Sequence, residues 1–262
     1  MARESCWNCA DLFAVSDRRA TSKLERRGCA VERSGQSSSF ALPIMKWLLN
    51  SPVAVRVVPF FIFVALTAMQ GKFGEASRYW IYFAKTLAGA GMLWAVWPHI
   101  KEMRWKFSWE AVGVGIAVFA MWVGLDNFYP HFGKAGTPWN PHEQFGSGST
   151  LAWAFIFVRI IGSTLVVPPL EEVFYRSFVY RFIIRKDFEA VPPGQFHLVA
   201  FLVTSIAFGL THHEWLAGIL CGLMYQGLVV VKKRLGDAMT AHAITNLLLG
   251  LWVVWKGDWK FW

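Results

Sequence analysis

The sequence predicts an all-α fold, a polytopic transmembrane helical bundle of about seven to eight helices enclosing a polar intramembrane cavity. Three observations carry that prediction. Apolar residues make up 55% of the chain and charged ones only 16%, with 15 Trp and 22 Phe, beyond the usage of soluble domains. From Pro52 onward, apolar runs alternate with short charged or Pro/Gly breaks, as expected where backbone in hydrocarbon must satisfy its own hydrogen bonds. A few ionisable residues nevertheless sit inside the apolar runs, and such costly groups mark pathways or reaction sites.

Residues 1–44 differ from the rest. They hold seven Lys/Arg, five Asp/Glu, the run Ser37-Ser38-Ser39 and no apolar stretch long enough to span. This composition predicts a disordered extension ahead of an integral membrane unit at 45–262, and Met45-Lys46-Trp47 reads as an alternative start. Cys6-x-x-Cys9 has no second CxxC or zinc-spaced His pair to complete it, and Cys29 stands alone, so these thiols predict no metal or redox site. Cys221, in an apolar run, reads as a small hydrophobe.

Spans are expected near 53–70, 79–98, 109–126, 151–169, 196–212, 214–231 and 237–255, with a further helix at 170–185. Trp80, Trp94, Trp97, Trp105, Trp109, Trp139, Trp153, Trp252, Trp255 and Trp259 fall mostly near span ends, where amphipathic rings anchor at the headgroups. Basic clusters Lys101/Arg104/Lys106, Arg181/Arg185/Lys186 and Lys232/Lys233/Arg234 mark one face as cytoplasmic, whereas the 127–150 loop carries only Lys134. The formal net charge of +9 is thus spread as topogenic loop charge, and no nucleic-acid partner is expected. Orientation by charge makes 151–185 either one long span broken at Pro168-Pro169 or a span plus a re-entrant piece, since a proline pair removes helix hydrogen bonds. Irregular backbone at membrane depth implies a surrounding cavity.

Three polar patterns lie in these segments. In Glu171-Glu172-x-x-x-Arg176, Glu172 and Arg176 are i,i+4 on a helix and can neutralise each other, while Glu171 is rotated about 100° away and left free. Snorkelling at an interface is the structural alternative. Phe208-x-x-x-His212 closes an apolar run and by itself is equally readable as an interfacial histidine. His242 and Asn246 share one face of the last helix, where interhelical hydrogen bonding is the competing account. Were 196–212 and 237–255 both full crossings, His212 would lie about 24 Å along its helix and His242 about 8 Å into its own. A tilted or half-span element is needed for them to meet.

The three patterns in this order resemble the CPBP (CAAX protease/Abi, bacteriocin-processing) family of intramembrane proteases, which includes the Ras-converting CAAX endopeptidase. The resemblance runs from about Ile160 to Leu249, with Gly236–His242 similar to the turn feeding the family's last motif; residues 1–44 have no counterpart. It implies peptide-bond hydrolysis by a glutamic-type mechanism. Glu171 and His212 would activate a water, His242 and Asn246 would stabilise the oxyanion, and Glu172 with Arg176 would support them. It also implies a membrane-associated protein or peptide substrate, in a multi-pass protein of a bacterial-type cytoplasmic membrane, with no cofactor. A zinc-dependent protease built on His212, His242 and Glu171 is the nearest alternative, though no HExxH is present. A non-catalytic scaffold or immunity protein of the same fold is a third reading. A transporter would need polar residues through both halves; Arg56 and Lys85 read as snorkelling near span ends, and Arg159 has no evident role.

Overall fold

The computed structural model describes residues 43–131 and 138–262. The expectations attached to residues 1–42, to Cys6, Cys9 and Cys29, and to Lys134 lie outside the described residues. Among those described, regular structure is helical apart from one isolated bridge between Lys72 and Gly74. We label the helices α1 (Pro43–Asn50), α2 (Ala54–Met69), α3 (Ser77–Val96), α4 (Trp109–Leu125), α5 (Pro141–Phe145), α6 (Thr150–Ile184), α7 (Leu198–Leu210), α8 (Trp215–Lys232) and α9 (Gly236–Lys256).

Among the described residues, four helical segments are long and apolar enough to cross a bilayer: Trp109–Phe128, Thr150–Ile184, Trp215–Lys232 and Gly236–Lys256. The distribution of side chains is that of a membrane bundle. Phe61, Trp94, Phe157, Leu202 and Trp255 are exposed, whereas Glu172, Arg176, Gln226, Asp237 and His242 are buried. In water this arrangement would forfeit the hydrophobic gain; in lipid it hides the polar groups and leaves apolar ones facing hydrocarbon. The chain is an integral membrane protein.

The expected spans 151–169 and 170–185 form one helical run of 35 residues, α6. At 1.5 Å per residue it is about 50 Å long, well over the bilayer's hydrocarbon core of about 30 Å. It is not broken at Pro168-Pro169. Instead π-helical turns at Gly162–Val166 and Val173–Val179 flank an α-helical turn at Val167–Glu172. In the first π turn the Val167 N–H bonds back to the Gly162 carbonyl. Proline has no N–H to serve the next carbonyl, that of Ser163, and Asn246 Nδ2 donates to it at 2.8 Å.

Helix α7 is the short element that the depth argument requires. Its 13 residues extend about 20 Å, too little for a full crossing. It packs on α8 through small residues. A Cβ on Gly209 would lie 2.4 Å from the Ile219 backbone nitrogen, and one on Gly222 would lie 2.8 Å from the Ser205 carbonyl oxygen. Close helix approach through Gly and Ser is the usual packing device where no aqueous hydrophobic effect acts. Helix α4 approaches α9 in the same way, with Gly115 against the Ala241 carbonyl.

The three basic clusters gather at one end. Glu102 bonds to Arg181 and Thr240 Oγ1 donates to the Lys106 carbonyl, while Lys233 Nζ donates to that of Gly194 and Lys232 pairs with Glu110. Here two expectations fail. Arg56 does not snorkel: it is buried and bonds to Glu102, Ser177 and the Pro52 carbonyl. Lys85, also buried, reaches Thr67 Oγ1 at 2.9 Å and lies over the Phe63 and Tyr82 rings. Both found interior partners distant in sequence, which removes the need to reach for the interface. Trp139 is likewise no headgroup anchor but a buried ring packed on Tyr79, Tyr82 and Trp262; Trp94 and Trp109 are exposed as expected.

Candidate active site

Glu171, His212, His242 and Asn246 line one cavity of about 190 Å³, together with Tyr82, Trp122, Arg159, Ser163, Tyr225 and Trp262 among others. The four motif residues come to it from the middle of α6, the turn after α7 and the first half of α9, and α3, α4, α8 and the residues after α9 complete the lining.

Glu171 and Glu172 leave α6 in different directions, and their surroundings differ accordingly. The Glu172 side chain is fully buried. Its Oε1 lies 3.3 Å from Arg176 Nη1 and 2.9 Å from His242 Nδ1. The contact with Arg176 is an ion pair without hydrogen-bond alignment, for no Arg176 nitrogen has a hydrogen-bond partner. The guanidinium instead faces the Phe208 ring at 4.3 Å, and cation–π attraction in a dry site offsets part of its burial cost. The i,i+4 pair expected from sequence is therefore present. Its link to His242, across 70 residues of chain, is additional.

Glu171 reaches the cavity. Its Oε2 is buried, has no hydrogen-bond partner and lies 4.0 Å from His242 Nε2. That distance is an electrostatic contact rather than a hydrogen bond. Glu171 and His212, expected to work as a pair, face the same cavity.

His212 lies two residues beyond the end of α7, its backbone N–H bonded to the Gly209 carbonyl. Its Nδ1 is 2.8 Å from the Phe208 carbonyl oxygen. A carbonyl can only accept, so Nδ1 carries a proton and, in the neutral ring, Nε2 keeps its lone pair. The i,i+4 spacing of Phe208 and His212 thus acts through the backbone of Phe208, fixing the tautomer. The edge of Trp122 holds the ring in place.

His242 is buried and its ring stacks on Tyr225 at 5.2 Å. The Tyr225 hydroxyl donates to Thr245 Oγ1, which in turn donates toward the carbonyls of Gly115 and Ala241. With Nδ1 given to Glu172, only Nε2 is left for the cavity. Asn246 spends one amide hydrogen on Ser163 and keeps the other, as well as its Oδ1. The interhelical bonding considered for this pair from sequence is real at Asn246.

Among the described residues, no group of three or more His, Cys, Asp or Glu is clustered as a metal site. His212 and His242 each have one ring nitrogen already engaged.

Residues 152–248 match the family described as Rce1-like, type II CAAX prenyl endopeptidase. This segment, somewhat over a third of the chain, is similar to Rce1-like CAAX proteases. All six motif residues fall inside it. No curated protein and no solved structure matches the chain. The family so described is one of CAAX prenyl endopeptidases, and the match supports an intramembrane hydrolase at that level.

Tyr225, Trp122 and the rings around Arg159 are not recognisable as site residues from sequence. Aromatic residues in apolar helices carry no local mark of a site. The Cys221-x-x-x-Tyr225 spacing does place both on the cavity side of α8, but only the tertiary contact with His242 distinguishes that face. Arg159 was visible as a lone cation in an apolar run.

Proposed function

We propose that the Rce1-like domain hydrolyses a peptide bond of a membrane-associated protein through a water activated by Glu171, without a metal. The observation that supports this reading is the unpartnered Glu171 carboxylate oxygen, in a cavity shared with two imidazoles and an amide that each have one ring or amide group already engaged.

In the proposed reaction Glu171 takes one proton from water, while His212 Nε2 accepts a hydrogen bond from the O–H that remains and so holds the nucleophile. The oxygen attacks the carbonyl carbon, and the carbonyl oxygen becomes an oxyanion. His242, its Nδ1 held by Glu172, turns Nε2 toward that oxygen and donates to it when that nitrogen carries a proton, and Asn246 offers its remaining Nδ2–H. Collapse breaks the C–N bond, and Glu171 returns its proton to the leaving amine. Glu172 and Arg176 act at one remove: Glu172 fixes the His242 ring by accepting from Nδ1, and Arg176 balances the carboxylate. The domain is taken to be residues 45–262 of a multi-pass protein, with the basic end toward the cytoplasm of a bacterial-type cell.

Terminal-peptide mass spectrometry of membranes from cells carrying wild type or Glu171→Ala tests the reading. A cleavage product present only with wild type is the expected result. A cellular phenotype that survives Glu171→Ala, with no change in any peptide terminus, favours the scaffold. For the purified protein, activity lost in chelator and regained with zinc would replace the metal-free mechanism with the zinc one.

A further inference from the structure

Arg159 has no part in the chemistry just described, yet it lines the same cavity. Its guanidinium is held against three rings, 4.5 Å from Trp139, 4.8 Å from Tyr82 and 5.2 Å from Trp262. Among the described residues no carboxylate lies within ion-pairing distance of it, whereas Arg56, Arg176, Arg181 and Arg234 each have one. The nearby Lys85 lies over the Tyr82 ring as well, at 4.5 Å, and pairs with a hydroxyl rather than an acid. Arg159 therefore brings to this end of the cavity a cation with which no carboxylate of the described residues pairs.

An unpaired guanidinium inside a membrane protein is costly. Aromatic faces offset only part of that cost and leave the planar N–H edge unused. That edge matches a carboxylate, which it can bind with two parallel hydrogen bonds. Its placement is also suited to a peptide. Arg159 and Glu171 are twelve residues apart on α6, a rise of about 18 Å or about five extended peptide residues. Ser163 and Asn246, between them in the cavity lining, connect the two ends.

We propose that Arg159 is the receptor for a carboxylate of the bound peptide, placed within about five residues of the bond that Glu171 hydrolyses. This rests on the hydrolase reading of the cavity. The carboxylate is either the C-terminus of the peptide or an Asp or Glu side chain; the chemistry at Arg159 is the same.

Binding of three acetylated tripeptides to the full-length protein in detergent tests the proposal without requiring turnover: Leu-Val-Ala with a free carboxylate, its C-terminal amide, and Leu-Asp-Ala amide. Wild type binds one or both carboxylate peptides about tenfold more tightly than the neutral amide, the scale of a charge-assisted hydrogen-bonded pair. Whichever carboxylate is preferred identifies the source. Arg159→Met abolishes the preference and leaves the neutral amide unchanged, while Arg159→Lys keeps the charge preference in weakened form. Should Arg159→Met not fold, the wild-type and Arg159→Lys comparisons still decide. Equal binding of all three peptides, failure of both carboxylates to bind, or equal weakening of all three by Arg159→Met overturns the proposal. Glu171→Gln keeps the preference, and a wild-type protein that discriminates the peptides but cleaves no membrane protein sinks the hydrolase reading and not this one.

Discussion

Glu172 Oε1 lies 2.9 Å from His242 Nδ1, joining the first motif to the third through a buried hydrogen bond. The same oxygen is 3.3 Å from Arg176, so one carboxylate both balances a buried cation and sets the direction of an imidazole. Two adjacent glutamates thereby have separate surroundings: the buried one joins two motifs, and the other faces the cavity with an unpartnered oxygen.

Substitution at the two glutamates distinguishes those surroundings. Glu172→Gln deprives the buried Arg176 guanidinium of its carboxylate and costs about 3 to 5 kcal/mol of stability, read as a lowered melting temperature in detergent. Glu171→Gln gives up only the 4.0 Å contact with His242 and leaves the melting temperature close to wild type. It lowers turnover by about a hundred- to ten-thousand-fold, the range for loss of a general base. Turnover retained in Glu171→Gln, or equal destabilisation by both, would contradict the division.

Asn246 connects the π turn of α6 to the cavity. Removal of its amide by Asn246→Ala frees the Ser163 carbonyl and deletes the proposed oxyanion donor, for which a loss of about a hundredfold or more in kcat is expected. Pro168→Ala probes the same link from the other side. An alanine N–H can serve the Ser163 carbonyl directly and compete with Asn246, so turnover should fall while the melting temperature holds. Unchanged kcat in Pro168→Ala would mean that Asn246 does not depend on the proline-generated carbonyl.

How much of this was written in the chain follows from how local each contact is. Glu172–Arg176 and Phe208–His212 are i,i+4 relations, and the spacing alone fixed them. The six polar residues stood out because a charge or imidazole in an apolar run needs a reason. The pairing of Glu172 with His242 was not legible, because 70 residues separate them and only the packing of α6 against α9 brings them together. The interior partners of Arg56 and Lys85 were hidden for the same reason. The π turns around Pro168-Pro169 were half legible: the prolines announced irregular backbone, but whether the helix would break or widen depended on Asn246 arriving to satisfy the Ser163 carbonyl.

Helix packing at Gly209 controls where His212 sits. A Cβ there would lie 2.3 Å from Ile219 Cγ1, 2.4 Å from the Ile219 nitrogen and 2.7 Å from the Trp215 carbonyl, two of them backbone atoms that cannot rotate away. Gly209→Ala should therefore separate α7 from α8, cost about 1 to 3 kcal/mol and lower activity by displacing the histidine three residues on. Gly227→Ala, on α8 with nothing within 4 Å of the added carbon, is the control; it should be neutral or stabilise by up to about 1 kcal/mol through helix propensity. Equal effects of the two substitutions on melting and turnover would rule out the packing account.

At the basic end, Glu102 Oε1 accepts from Arg56, Arg181 and the Ser177 hydroxyl, joining α2, the segment before α4 and α6. Burial pushes the Glu102 carboxyl up, but Arg56, the Ser177 hydroxyl and Arg181 together hold it below the ordinary carboxylate range. A carboxyl with a depressed folded pKa contributes stability that is complete above its unfolded pKa, about 4.3, and is lost as pH falls through the lower folded value. In Glu102→Gln, Arg56 keeps Glu189 at 3.2 Å, whereas Arg181 loses its carboxylate partner. The variant should be less stable than wild type by about 2 to 4 kcal/mol at neutral pH. Because protonation of Glu102 in wild type removes the same interaction, the difference should shrink once the pH drops below about 4. Melting temperatures of both proteins across acid to neutral pH measure this directly, and a gap that stays constant into acid would show that the Glu102 charge is not what binds this end of the bundle.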